Sequence, residues 1–193
     1  RPGTATILAE YLRTRRALSG RTPEALLRLP PLRDVRVEKA LLILSATASA
    51  GFQSDVRLLA VIAMRTTRLA LQHGLSSGTA ANFVTYGMIA GSFTQDDRLM
   101  DAYGQLGLAV LQRFPDPGSE AIVRFLYSGI AQPLCHPLRA CIASLRLGLQ
   151  AGLDGGYPSP AAYCAYTLAN LLLASGASLE QTRVEAEHAV ELM

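Results

Sequence analysis

The chain of 193 residues has no tryptophan and few aromatic residues, which make up 6% of it. No segment alternates apolar and polar residues over the length of a strand, so the sequence argues against a β fold. Half of the residues are nevertheless hydrophobic. A core must therefore be built from Leu, Ala, Val and Ile, the side chains that closely packed helices use. The composition predicts an all-α fold.

Long apolar runs are also missing, and cysteines are few. No segment reaches the roughly 18 apolar residues that a membrane span requires. The three cysteines (Cys135, Cys141 and Cys164) form neither a C-x-x-C motif nor an even disulfide framework, and no signal peptide precedes them. The sequence therefore predicts a cytoplasmic, reducing location and no membrane contact.

Positive charge comes almost entirely from arginine, since Lys39 is the only lysine. Residues 1–36 contain eight arginines and three acidic residues, although the net charge of the chain is only +3. Such a segment is compatible with nucleic-acid or anionic-lipid binding, or with a solvated helix face. No interleaved aromatic residues or nucleic-acid fold signature accompany the arginines, so we favour the solvated face and expect no nucleic-acid partner.

Catalytic motifs are absent as well. A P-loop needs glycine amides and a lysine around phosphate, and the lone Lys39 follows Glu38 inside a predicted helix. The sequence also lacks H-E-x-x-H. We therefore expect this chain not to be an enzyme, and we predict no catalytic and no cofactor-binding residue.

Two clusters of polar residues deserve comparison with known sites. Cys135, His136 and Cys141 supply three potential zinc ligands, but zinc normally takes four, and Cys141 is expected to pack as a small apolar residue on a helix. Asp96, Asp97 and a third carboxylate one turn later (Asp101) fit the first turn of a helix, where acids are ordinary partners of the dipole. We predict no metal site at either place.

Capping residues and turn residues recur regularly along the chain. They predict that Thr4 caps a first helix, that a helix capped by Asp34 ends at Gly51, and that residues 119–131 form one continuous helix. Residues 1–33 are predicted to form an N-terminal helical cap or arm. The remainder, residues 34–193, divides into four helix-hairpin repeats at about 34–74, 79–114, 119–153 and 159–193. Six of eight residues in Arg68–Leu75 recur in Arg146–Leu153, at an offset of 78. A period near 40 residues with short turns is typical of helical solenoids.

One predicted hairpin carries a degenerate form of the tetratricopeptide pattern. Phe83, Tyr86 and Gly87 supply large, large and small residues on its first helix, and Ala102-Tyr103 and Ala109 lie on its second. We therefore predict a right-handed stack of antiparallel helix hairpins, a tetratricopeptide-like solenoid.

An ordered set of segments resembles a known family. The set comprises Arg15–Pro30, Tyr86-Gly87, Gly104–Ala109, Gln150–Leu153 and Ala162–Tyr166 followed by Ser175-Gly176. It is similar to the helical region that follows the ATPase module in large bacterial multidomain sensor kinases. Those proteins join a Ser/Thr-kinase-like domain, a STAND-type AAA ATPase, this helical region, a GAF domain and often a histidine kinase. Residues 132–137, with two prolines, depart from the family pattern.

The resemblance implies a regulatory segment between an ATPase switch and an output module, and it assigns no catalytic residues. Since the chain begins without Met and ends within a helical pattern, we expect it to be part of a longer protein. Its predicted function is protein interaction and signal relay, with a protein partner or adjoining domains of the same chain. The alternative is a solenoid arm that senses a small metabolite. The partner-binding residues stay unknown at this stage, the tyrosines being the main aromatic candidates (Tyr11, Tyr86, Tyr103, Tyr127, Tyr157, Tyr163 and Tyr166).

Overall fold

The computed structural model describes residues 2–192, except for the side chains of Ala46 and Ser49. Helices account for nearly all of the described structure, and the one β feature within it is an isolated parallel bridge between Pro31 and Leu75. The all-α prediction is confirmed. The α-helices are α1 (Thr4–Leu18), α2 (Pro23–Leu27), α3 (Val35–Ser54), α4 (Val56–His73), α5 (Ser77–Thr94), α6 (Asp97–Arg113), α7 (Pro117–Leu126), α8 (Leu138–Asp154), α9 (Pro158–Ala174) and α10 (Leu179–Glu191).

Aspartate caps begin several of these helices, as the sequence predicts. The carboxylates of Asp34, Asp55, Asp96 and Asp116 each accept a hydrogen bond from a first-turn amide, at 2.9, 3.0, 3.0 and 2.8 Å respectively. These bonds satisfy amides that have no partner within the helix.

Two helix ends differ from the prediction. Thr4 is not the cap of α1, because Gly3 occupies the N-cap position and its carbonyl oxygen accepts from Thr6 and Ile7. Gly51 does not end α3, which continues to Ser54. At Gly51 a β-carbon would lie 3.3 Å from the amide nitrogen of Leu59, so this glycine allows α3 and α4 to approach closely.

The chain forms two compact units, of which the first ends at Phe114. Within it α4 lies among three helices, contacting α1, α3 and α5, while α5 also packs against α6. Side chains from α2, α4, α5 and α6 are fully buried in its core: Leu26, Met64, Phe83, Val84 and Val110.

The turn after α4 joins the proline segment of the same unit. The amide of Leu75 donates a hydrogen bond to the Pro30 carbonyl oxygen at 2.8 Å, and the amide of Leu32 donates one to the Leu75 carbonyl oxygen at 2.7 Å. Gly74 has φ +105°, and a β-carbon there would overlap the carbonyl oxygen of Pro30. Only glycine fits this position without strain.

The second unit, residues 115–193, contains α7 to α10. α7 continues as a π-helix over Tyr127–Ala131 and a short 3₁₀ turn over Gln132–Leu134, where the sequence predicts one continuous helix to residue 131. α8 contacts α7 and α9, and α9 contacts α10. The core of this unit contains Ala121, Val123, Tyr127, Leu145, Ala161, Cys164 and Leu168, each exposed by 1% or less.

The short sequence repeat is not matched by equivalent backbone. Gly74 ends α4 with a positive φ, whereas its counterpart Gly152 lies inside α8, where a β-carbon would be 3.0 Å from Ala161 Cβ. Consecutive helices do pair within each unit: α3 with α4, α5 with α6, α7 with α8 and α9 with α10. The continuous right-handed solenoid stays a prediction.

Candidate functional site

A groove in the second unit is the candidate site. It has a volume of about 580 Å³ and is formed by α8, the end of α9 and the start of α10. Its lining residues are Arg139, Ile142, Ala143, Arg146, Leu172, Ser175 and Gln181. Four of them lie on α8 at positions i, i+3, i+4 and i+7, and such positions share one face of a helix. On this face the guanidiniums of Arg139 and Arg146 flank the apolar side chains of Ile142 and Ala143.

The two arginines of the groove differ in their partners. Arg146 donates from Nη2 to Glu185 Oε1 on α10 at 3.1 Å. Arg139 is exposed and has no ion-pair partner among residues 2–192. Two other acids of α10 are also engaged, since Glu180 and Glu187 both bind Arg183. The groove therefore carries one uncompensated positive charge.

The remaining groups complete an amphipathic surface. Leu172 is 4% exposed and forms part of the floor with Ile142 and Ala143. The hydroxyl of Ser175 donates to its own helix, to the Leu172 carbonyl at 2.8 Å. Such a surface can receive an apolar side chain while Arg139 binds a carboxylate through two parallel hydrogen bonds.

A second exposed feature lies in the first unit, on α3. Of the residues of this helix whose side chains are described, only Leu41 and Gly51 are buried. On the opposite side, Leu42 is 62% exposed and Ile43 is 67% exposed.

A buried ion network in the first unit joins α1 to α4. Glu10 is 3% exposed and accepts from Arg65 at 3.1 Å and from Arg68 at 2.5 Å. Arg68 also donates to the hydroxyl of Thr14 at 2.7 Å, and that hydroxyl donates to the Glu10 carbonyl at 2.8 Å. Burial raises the pKa of the Glu10 carboxyl, but the hydrogen bonds and charges of Arg68 and Arg65 outweigh it, so the pKa lies below its ordinary value. All of these groups serve helix packing.

The two cysteines considered as zinc ligands together with His136 lie in different environments. Cys135 is exposed, whereas Cys141 is buried and its thiol lies 3.6 Å from the Pro137 carbonyl oxygen. Burial raises the pKa of the Cys141 thiol. Over residues 2–192, no three His, Cys, Asp or Glu side chains are grouped so that they could hold a metal ion.

The aspartate candidates serve helix structure. Asp96 is the N-cap of α6 and accepts from the Leu99 amide at 3.0 Å. Asp101 lies one turn into the helix and accepts from Gln105 at 2.9 Å. The capping interpretation of Asp96 is confirmed.

Most tyrosines contribute to packing rather than to a binding surface. Tyr86, Tyr103 and Tyr127 are buried, and burial raises the pKa of Tyr86 to about 12. Tyr163 stacks on Phe125 with ring centroids 5.0 Å apart. Tyr166, predicted to share a face with Tyr163, is 58% exposed.

The N-terminal arginines from Arg13 to Arg36 are exposed. Arg13 approaches Glu10 at 3.5 Å, and the others line the surface of α1 and the following segment. This distribution fits a solvated helix face, without an aromatic surface among the arginines on which bases could stack.

In comparisons with known proteins, no family model, no curated protein and no solved structure matches the chain. None of the helices between residues 2 and 192 is both long and apolar enough to cross a membrane. The groove is not among the features predicted from the sequence, although the spacing of Arg139, Ile142, Ala143 and Arg146 indicates an amphipathic face. The position of Leu172 and Gln181 beside that face depends on how α9 and α10 pack against α8.

Proposed function

We propose that the chain is a non-catalytic protein-interaction module, and that its second unit binds a partner segment in the groove of α8, α9 and α10. The partner segment presents an apolar side chain and, beside it, a carboxylate. The observation that carries the proposal is the unpaired guanidinium of Arg139 at the edge of an apolar floor.

The chemistry of the groove favours an acidic peptide over a basic or neutral one. A carboxylate next to Arg139 gains a charge-assisted hydrogen bond, while a lysine there is repelled. An apolar side chain on Ile142, Ala143 and Leu172 removes apolar surface from water. Recognition of a peptide by anchors at helical spacing is a common mode of protein interaction.

The distribution of perturbed pKa values supports a non-catalytic role. Catalytic groups with shifted pKa values gather in clefts. Here two of the shifted groups lie in packed or ion-paired positions: Cys164, whose pKa burial raises to about 12, is surrounded by the core of the second unit, and Glu10 is held by arginines. Neither group lines the groove.

In the arrangement that the sequence resemblance implies, the partner segment belongs to an adjoining ATPase or output domain. Binding to the groove would then couple the state of one domain to the other, because a segment held in the groove restricts the domain that carries it. This relay role rests on the resemblance as well as on the groove.

Binding of designed peptides tests the proposal. Fluorescently labelled helical peptides with Leu and Ile one turn from a Glu are titrated with the protein, and the same peptides with Glu replaced by Gln or Lys serve as references. We expect the acidic peptides to bind at least about tenfold more tightly, since one charge-assisted hydrogen bond contributes about 1.5–3 kcal/mol.

Arginine variants locate the binding site. Arg139→Ala is expected to remove the preference for Glu over Gln, whereas Arg98→Ala, at an exposed arginine on α6, is expected to leave it unchanged. Equal binding of acidic and neutral peptides, or an unchanged preference in Arg139→Ala, would overturn the proposal.

A second candidate is a sensor of small organic acids. The volume of about 580 Å³ lies in the range of small-molecule sites, which is the specific observation in its favour. Thermal unfolding in the presence of mono- and dicarboxylates of increasing chain length tests it. A rise in Tm that Arg139→Ala abolishes, with no binding of acidic peptides, would select this candidate.

A further inference from the structure

The groove face of α8 carries a guanidinium at each end of its apolar pair. Arg139 and Arg146 are two turns apart, which is about 10 Å along the helix axis, and Ile142 and Ala143 lie between them. The positions i, i+3, i+4 and i+7 of a helix share one side. A second helix with acids at the two outer positions and apolar residues at the two inner ones would therefore complement this face in charge and in polarity.

The guanidinium of Arg146 already holds a carboxylate. Its Nη2 donates to Oε1 of Glu185 on α10 at 3.1 Å. Glu185 follows Gln181 by one turn, and Gln181 lines the groove, so both side chains lie on the groove side of α10. The carboxylate of Glu185 thus occupies the place at which a ligand carboxylate would meet Arg146. At the other end of the face, Arg139 has no ion-pair partner among residues 2–192.

The ion pair of Arg146 and Glu185 is exposed enough to exchange. The Arg146 side chain is 49% exposed and that of Glu185 is 21% exposed. Ion pairs in such positions contribute little to stability, because water screens them and both side chains lose freedom. The helix that carries Glu185 is also lightly packed, since it contacts α9 and Ala189 is the only buried residue within Leu179–Glu191. Separation of the pair therefore leaves the core of the second unit intact.

We propose that Arg146 is a second carboxylate-binding position of the groove, and that Glu185 occupies it in the free chain as an internal competitor. The partner is a helical segment with acidic residues at positions i and i+7 and large apolar residues at i+3 and i+4. One acid binds Arg139, and the other displaces Glu185 from Arg146. This inference rests on the proposed function, because it assigns the partner class and the regulation of the same groove.

Glu185 reduces what the second acid of the partner contributes to affinity. In the parent chain that acid replaces one carboxylate on Arg146 by another, so the number of charge-assisted hydrogen bonds stays the same. Without the charge of Glu185, the same acid forms a bond that the free chain lacks. Segments with a single acid bind through Arg139 and are affected little.

Peptide titrations measure this competition. Labelled helical peptides have Leu and Ile at the inner positions, and at the outer positions two Glu, one Glu and one Gln in either order, or two Gln. For the parent, we expect the second Glu to lower the dissociation constant by no more than about threefold. For Glu185→Gln, we expect a decrease of at least about tenfold, because one charge-assisted hydrogen bond is gained.

Two further variants show whether the effect belongs to Arg146. Glu187→Gln is the matched control: it removes the same charge from α10 at a residue that pairs with Arg183, and it is expected to behave as the parent does. Arg146→Ala combined with Glu185→Gln is expected to abolish the gain from the second Glu. Circular dichroism of each variant checks that the helices are retained.

An equal gain from the second Glu in the parent and in Glu185→Gln would overturn the inference. A rise in Glu187→Gln as large as that in Glu185→Gln would also overturn it, by showing a general effect of charge. Weaker binding of every peptide by Glu185→Gln would do so as well, by showing that the ion pair holds the groove in shape. The preference of the parent for one Glu over none tests the proposed function separately, and if that preference is absent the proposed function fails too.

Discussion

Glu10 shows how one buried charge depends on its neighbours. Its carboxylate is 3% exposed and lies against Arg65 and Arg68 of α4 and Arg13 of its own helix. Removing one member of such a network leaves the remaining charges without compensation. The side chain thus links α1 to the rest of the first unit.

Replacing Glu10 by Gln is expected to lower the free energy of unfolding at neutral pH by about 2 kcal/mol, because two arginines lose their charged acceptor. The folded-state pKa of Glu10 lies below its unfolded value of about 4.5. The stabilisation is therefore complete above about pH 4.5 and is lost as the pH falls through the lower folded-state pKa. Urea unfolding at pH 7 and at acidic pH checks this. A difference between parent and variant that does not shrink in acid would contradict the assignment.

Thr66 and Thr67 are adjacent on α4 and both are fully buried, but their hydroxyls differ in hydrogen bonding. Thr66 donates to the Ile62 carbonyl at 2.9 Å, whereas the Thr67 hydroxyl has no hydrogen-bond partner in the described part of the chain. Thr67→Val is expected to be more stable than Thr66→Val by about 1 kcal/mol, since valine keeps the shape and removes an unsatisfied polar atom only at residue 67. Thermal and denaturant unfolding of the two variants measure this difference, and the reverse order would contradict it.

At the scale of elements, α5 and α6 form a close pair. Tyr86 and Tyr103 meet edge to face at 5.1 Å, and Phe83 is fully buried beside them. At Gly87 a β-carbon would overlap Tyr103 Cβ, so the absence of a side chain sets how closely the two helices approach. The sequence placed Gly87 at the small position of a degenerate tetratricopeptide pattern, but the contact with Tyr103 is a finding of the structure.

Gly87→Ala is expected to destabilise the first unit by about 2 kcal/mol, because the methyl group forces apart two packed helices. Gly78→Ala is the matched control near the start of the same helix, where the nearest atom is 3.9 Å away, and it is expected to be neutral or slightly stabilising through helix propensity. Comparison of their Tm values with that of the parent tests the prediction. Equal changes in Tm for the two variants would show that helix propensity, and not the contact with Tyr103, determines the effect of the substitution.

The sequence predicts a helix end well where a capping side chain close in sequence ends the helix. It predicts the end less well where contact with a neighbouring helix determines it. Asp34 and Asp96 act locally, through amides two or three residues ahead. The sequence predicts a helix end at Gly51, yet the role of this glycine is set by its close approach to Leu59 on the next helix. The π-helix over Tyr127–Ala131 likewise had no local signal in the sequence.

At the scale of the whole molecule, the chain separates into two units at Phe114 and Pro115. Each has its own buried core, with Phe83 and Met64 in the first and Tyr127 and Leu145 in the second. A core of its own is the physical condition for independent folding.

Residues 115–193 expressed alone are therefore expected to be helical and to unfold cooperatively. A segment of this size normally has a free energy of unfolding of no more than about 5 kcal/mol, because a small core buries little surface. Far-ultraviolet circular dichroism with thermal and urea unfolding tests this. A helical signal that fades without a sigmoidal transition would contradict independent folding.

The sequence alone determined the all-α class, most helix bounds and the capping role of the aspartates, because these depend on composition, period and contacts within a few residues. Tertiary structure decided the rest. It placed Leu172 and Gln181 beside Arg139, left the apolar side of α3 exposed, and gave the matching glycines at 74 and 152 different roles. These features depend on which helices meet, and that choice is made by packing between residues far apart in the chain.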